Sequence, residues 1–262
     1  MRLFNQLSRL RRGSFFMFSL CCFLPVLLEG QFKFREAPGR QDPSPLSGSE
    51  PDAVWEAFHE GRQMGSFSIE GRLVHRPAGA SSESYDFTLE GDWGADYEHT
   101  RIRLLDGSGT ARSKAVLTRS GRTWILDGEG NKKKEITEAR WGEAIFEELP
   151  LTWMDLLMPY LRSERASYLG PDRFLGRPAH RFEIERADGD GFPKRAVVTL
   201  DEDYAALLQT DLLDEAGFRR KRMRIGGFRK FGEDWMASEL VWENRRERSS
   251  IKLNVYSFLN TR

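Results

Sequence analysis

The chain has 262 residues, with 40 Lys and Arg against 40 Asp and Glu, so its formal net charge is zero. That balance gives no ground for a nucleic-acid partner or a strongly anionic surface, either of which calls for a basic surplus. Two cysteines are too few for a disulfide scaffold, and the length allows one substantial core.

The first element is at the N-terminus. Arg2, Arg9, Arg11 and Arg12 precede an apolar run from Phe15 to Leu28, which ends in Glu29-Gly30-Gln31. A basic start, a short apolar middle and a small residue at the end form the pattern of a secretory signal peptide over residues 1–30. The run falls short of the about 20 apolar residues that a membrane span needs, and Pro25 interrupts it. An anchor that stays uncleaved is the alternative. Cys21 and Cys22 both lie inside this segment, so its removal leaves no thiol nucleophile, no disulfide and no zinc-thiolate site. A chain without cysteine is indifferent to an oxidising compartment such as the bacterial periplasm, and the expectation is export across the inner membrane to that compartment.

Residues 31–50 are rich in Pro, Gly and Ser and read as a flexible leader. A single folded domain is expected over 51–262. Pro51-Asp52 opens a short helix that ends near Gly61, with Val54, Trp55 and Phe58 at helical spacing. Alternation then takes over. Phe67, Ile69, Gly71 and Leu73 make one strand, Tyr85, Phe87 and Leu89 a second, and Tyr97, Ile102 and Leu104 a third. Ala115 to Leu117, a turn at Ser120-Gly121, and Thr123 to Leu126 read as a hairpin, followed by a basic strand over 132–136. From Glu138 to Arg162 the rhythm is helical, and Pro150 and Pro159 divide it into two short helices. Thr152 with Asp155 three residues on has the form of a capping box for the second. Strands resume over 181–186, 195–200, 205–213, 218–231, 235–242 and 251–258. Turns such as Asp188-Gly189-Asp190-Gly191 separate them, and Gly226-Gly227 suggests a bulge. The fold class is mainly β with a helical insert: about 11 strands in one strongly curved antiparallel sheet, an incomplete β-barrel.

The residues of catalytic chemistry do not form a constellation. His59, His75, His99 and His180 stand at no metal-ligand spacing, and there is no GxSxG turn or phosphate loop. Neither a metal nor a cofactor is called for, and an enzyme is not expected. Asp201-Glu202-Asp203 reads as a hairpin tip. In the basic run from Arg219 to Arg224, Arg220, Arg222 and Arg224 are candidates for docking a partner, against the plainer reading of a solvated face. The remaining signal is apolar. With 18 Phe and 7 Trp, a curved sheet can enclose a greasy cavity or a filled core.

Several segments carry a resemblance. Phe67-Ser68-Ile69-Glu70-Gly71, Trp124-Ile125-Leu126-Asp127, Leu151-Thr152-Trp153-Met154-Asp155-Leu156-Leu157, Leu213-Asp214-Glu215-Ala216-Gly217 and Trp235-Met236 stand in the order of elements of the LolA/LolB-like lipoprotein-sorting proteins. From Trp55 to Phe258 the chain resembles that family. The resemblance implies a half-barrel whose helices close as a lid over a hydrophobic cavity. It also implies non-covalent carriage of acylated lipoprotein or lipid toward the outer membrane, between membrane-bound donor and acceptor proteins, by a monomer. Under it, Trp153, Leu156, Leu157 and Tyr160 of the lid would face Phe67, Ile69, Phe87, Leu89, Trp124 and Phe182 of the sheet. The alternative within the same fold is a periplasmic sensor or interaction module that binds a protein partner.

Overall fold

The structure, a computed structural model, describes residues 50–261 except 61–64, 95–96, 106, 108, 120–121, 128–132, 137–139, 164, 186–192 and 233. The signal segment 1–30, the leader up to residue 49, and the turns at Ser120-Gly121 and Asp188-Gly189-Asp190-Gly191 lie outside the described residues.

A helix, α1 (Pro51–Glu60), precedes six strands: β1 (Gly65–Arg76), β2 (Glu83–Trp93), β3 (Tyr97–Leu105), β4 (Ala111–Arg119), β5 (Arg122–Asp127) and β6 (Lys133–Glu135). An insert follows, made of β7 (Ala144–Phe146), β8 (Leu149–Thr152), α2 (Trp153–Leu157) and a 3-10 turn over Pro159–Arg162. The second block holds β9 (Ser167–Phe174), β10 (Arg177–Glu185), β11 (Arg195–Asp201), β12 (Leu207–Leu213), β13 (Arg219–Phe231), β14 (Asp234–Asn244) and β15 (Ser249–Thr261).

Thirteen strands form one sheet in the order β6-β5-β4-β3-β2-β1-β15-β14-β13-β12-β11-β10-β9. Each block is a meander, and the first and last strands pair antiparallel to join the two. The sheet is curved and not closed, with β6 and β9 at its edges.

Alternation places the core. Phe67, Ile69, Gly71, Leu73 and His75 of β1 are buried at every second position. Tyr85, Phe87, Leu89, Gly91 and Trp93 of β2 do the same, so these faces line one concave surface. Gly71 sits where the register with β15 shifts, and the chains come close enough that a Cβ there would lie 2.0 Å from the Asn254 carbonyl oxygen. On the convex face the rows are ionic: Arg72 bonds Asp86 at 2.8 Å, and Arg222 forks onto Asp211 at 2.6 and 2.9 Å.

The structure differs from the sequence reading in the insert and in the strand count. Residues 144–152 form a two-stranded hairpin rather than a helix, because Ala144-Ile145-Phe146 and Leu149-Pro150-Leu151-Thr152 pair across a two-residue turn. Only five residues of α-helix remain, followed by the 3-10 turn. β9 has no counterpart among the expected strands, since Gly170 and Pro171 mask its pattern and pairing with β10 extends it. The expected bulge at Gly226-Gly227 is present, as register shifts between β13 and β14.

Candidate functional site

The concave face is covered by two elements. Val54, Trp55 and Phe58 form the buried stripe of α1, and the Trp55 ring lies 5.0 Å from that of Phe182 on β10. The second cover is the insert, which serves as a lid. Its helix begins at Thr152, whose hydroxyl accepts from the Asp155 backbone N–H while the Asp155 carboxylate accepts from the Thr152 N–H at 2.9 Å. The helix ends at Met158 in the left-handed conformation, and Pro159 starts the 3-10 turn. This sharp corner keeps both short pieces on the concave surface.

Trp153, Leu156, Leu157 and Tyr160 are all buried there, in the same apolar cluster as Phe67, Ile69, Phe87, Leu89 and Phe182. None of these nine is more than 5% exposed. Trp124 stands apart. Val116 and Ile125 face each other on the concave side, so Trp124, one residue earlier than Ile125, projects from the convex face. There Arg122 lies over its ring at 5.5 Å. The hydrophobic set therefore excludes Trp124, since strand parity turns it away from the lid.

Polar side chains hold the lid from both blocks of the sheet. Lys221 on β13 donates to Asp155 Oδ2 at 2.7 Å, and Arg162 at the end of the 3-10 turn pairs with Glu98 of β3. Arg112 of β4 pairs with Glu148 in the hairpin turn, and the Met154 N–H bonds the Trp141 carbonyl at 2.8 Å. Lys221 shares the inward parity of Met223 and Ile225, so one cation of the basic run points under the lid. Sequence reasoning missed this role. Spacing along β13 assigns Lys221 a face, but its partner lies 66 residues away.

The three arginines considered for partner docking already hold carboxylates. Arg220 pairs with Asp214, Arg222 with Asp211, and Arg224 with Glu243 at 3.5 Å. The hydrogen bond that Arg222 donates to Asp211 holds the guanidinium above its usual pKa against the opposing effect of burial. Asp201 is buried rather than a solvated tip. Its Oδ1 accepts from the Asp203 and Tyr204 N–H groups, and its Oδ2 accepts from Arg177 at 2.7 Å. His180 is buried beside Tyr168, whose hydroxyl lies 3.0 Å from Nδ1. Desolvation first, and then the charge of Glu202, raise the Tyr168 pKa. No helix among the described residues is long and apolar enough to cross a membrane.

No family model matches the chain, and no curated protein does. Solved structures do. A protein domain named for outer membrane lipoprotein sorting, from Vibrio parahaemolyticus, aligns with a TM-score of 0.64 at 16% identity, over 75% of this chain and 86% of its own. A DUF1329 family protein from Desulfovibrio piger aligns at 0.62 and 15% identity, with the same shares of 75% and 86%. A LolA superfamily protein from Nitrosomonas europaea gives 0.62 at 10% identity, over 80% of this chain and 93% of its own. Likeness at these identities establishes architecture: the chain has a LolA/LolB-like fold.

Proposed function

We propose that this chain is a periplasmic carrier that takes up the acyl chains of lipoproteins or other lipids between its lid and the concave face of its sheet, and releases them toward the outer membrane. The observation that carries this reading is the lid itself. Trp153, Leu156, Leu157 and Tyr160 occupy the concave surface of an open sheet, yet they hang on a helix of five residues and the 3-10 turn that follows it. A helix that short has little stability of its own and depends on what it packs against. Cargo replaces the lid side chains on that surface.

The energies are commensurate. Burying a large apolar side chain stabilises by about 1.5–3 kcal/mol, and each methylene of an acyl chain contributes about 0.8 kcal/mol. Four lid side chains are therefore offset by roughly ten buried methylenes, the length of one long acyl chain. The role is non-covalent binding and release. The carrier acts as a monomer between membrane-bound donor and acceptor proteins. Its sheet edges are poor templates for pairing: β6 is three residues long and lysine-rich, and β9 contains Pro171 with Gly170 at φ 119°. The signal-like segment 1–30 supplies the route to the periplasm.

The test is titration with cis-parinaric acid, whose polyene fluoresces in an apolar site. Saturable enhancement that palmitate displaces is expected of the folded protein. No enhancement at protein concentrations well above micromolar contradicts the reading.

A further inference from the structure

The chain is neutral as a whole, and that balance hides a local surplus. β1, β15, β14 and β13 are neighbours in the sheet, and one end of each lies on the same rim. Arg76 stands there at the end of β1, paired with Ser250, and Arg245, Arg246 and Arg248 lie in the turn between β14 and β15. The Arg245 N–H bonds the Arg220 carbonyl at 3.0 Å, which ties this turn to the start of β13. Phe218 immediately precedes that strand and is 68% exposed.

The four arginines are exposed, and among the described residues none pairs with a carboxylate. The acids around them are mostly engaged. Asp214 holds Arg220, Asp211 holds Arg222, Glu243 holds Arg224 and Glu215 holds Lys194. Glu83 takes the Tyr85 hydroxyl. Within the turn itself the carboxylate is Glu247, so the four arginines outweigh it and Glu83 together.

The backbone presents these groups in fixed positions. Asn244 Oδ1 accepts from the Arg246 and Glu247 N–H groups at 3.1 and 3.2 Å. Arg248 has φ 53°, a conformation that Gly or Asn adopts at less cost. The Phe218 N–H donates to Asp214 Oδ1 at 2.9 Å, and its carbonyl accepts from the Asp214 N–H at 3.0 Å.

We propose that this rim docks the protein on a bilayer surface carrying anionic phospholipid. The guanidinium groups fork onto lipid phosphates, and the Phe218 ring enters the boundary between headgroups and acyl chains. An acidic protein would satisfy the arginines but gives no reason for an aromatic ring bared beside them. Basic and aromatic side chains together match a bilayer interface. Glu247 lines a hollow with Met154 and Asp155, so docking brings the start of α2 to the membrane. Docking is independent of what the concave face carries.

The test is flotation of the full chain with vesicles of phosphatidylcholine, with and without about one third phosphatidylglycerol, at low and high salt. Wild type is expected to float with the anionic vesicles and to be released by salt. Arg245→Gln, Arg246→Gln and Arg248→Asn together should weaken binding about a hundredfold, at about fivefold for each arginine. Phe218→Ser should weaken it about tenfold. Arg119→Gln, Arg165→Gln and Arg173→Gln together remove the same charge from exposed positions away from the rim, and should leave binding within about threefold. The arginines of residues 1–30 are common to every variant, so the difference between the two triple variants reads the turn alone. Equal binding by the two triple variants, equal binding to neutral vesicles, or no wild-type binding overturns the proposal. Capture by polyglutamate through the same arginines, with vesicles left unbound, also overturns it and assigns the turn to an acidic protein. None of these results touches parinaric acid binding, which reads the carrier role separately.

Discussion

At Gly71 the curved sheet leaves no room for a side chain. A methyl group there would meet the Asn254 carbonyl at 2.0 Å and the Phe87 ring at 2.7 Å, and the first of these is backbone. Gly71→Ala is expected to destabilise by about 1–3 kcal/mol, in the range of core overpacking. It should be read as a lower denaturant midpoint at unchanged slope. Asp201 ties a turn together as both a cap and an ion-pair partner while almost wholly buried. Removing one member of such a pair leaves Arg177 uncompensated, and Asp201→Ala should cost about 3–5 kcal/mol. His99, half-buried on β3, has its pKa lowered by desolvation first and by Arg101 second. A histidine held neutral in this way contributes stability above its ordinary pKa of 6.5, and that stability is lost as pH falls through the lower folded value. Thermal midpoints should therefore drop as pH is lowered from 7.5 to below 6.5, and His99→Gln should flatten that part of the profile. An unchanged profile would remove His99 from the account. The local sequence marks Gly71 as an inward strand position, and Asp201 as a turn residue. The close approach of Asn254 and the reach of Arg177 belong to partners far along the chain, so neither environment is readable from spacing.

The lid is the element on which the reading turns, and its two halves were unequally legible. Thr152 and Asp155 stand at capping-box spacing in the sequence, and the structure forms that box. Thr152→Ala should weaken the lid by about 1 kcal/mol. Hydrogen exchange at residues 153–161 would show faster opening while β1 and β15 stay protected. The hairpin ahead of the helix was not legible. Ala144 to Phe146 is too short for a period, and Pro150 reads as a helix breaker until its partner strand is known. Lys221 was hidden for the same reason, since a cation in a basic run declares its inward partner only once β13 crosses beneath α2. The lid also sets a chain-length rule. If roughly ten methylenes balance its four buried side chains, octanoate should displace parinaric acid poorly and palmitate well. Equal potency would show that cargo does not exchange for the lid.

Across the molecule, alternation and turn chemistry place the strands of the two meanders, because each strand carries one wet and one dry face. They do not place the junction. The pairing of β1 with β15, which makes one sheet of two blocks, joins residues nearly the whole chain apart. β9 was lost to its own edge-protecting Gly170 and Pro171. The result is a sheet whose concave side is roofed by short pieces rather than sealed by closure, and the central claim is that acyl chains go there. Native mass spectrometry of the protein, purified gently from the cells that make it and sprayed intact, tests that claim most directly. The account predicts a folded species carrying an added mass of one or more acyl chains, released on unfolding and restored by incubation with lipid. A folded protein seen only at its bare mass, before and after such incubation, would contradict it.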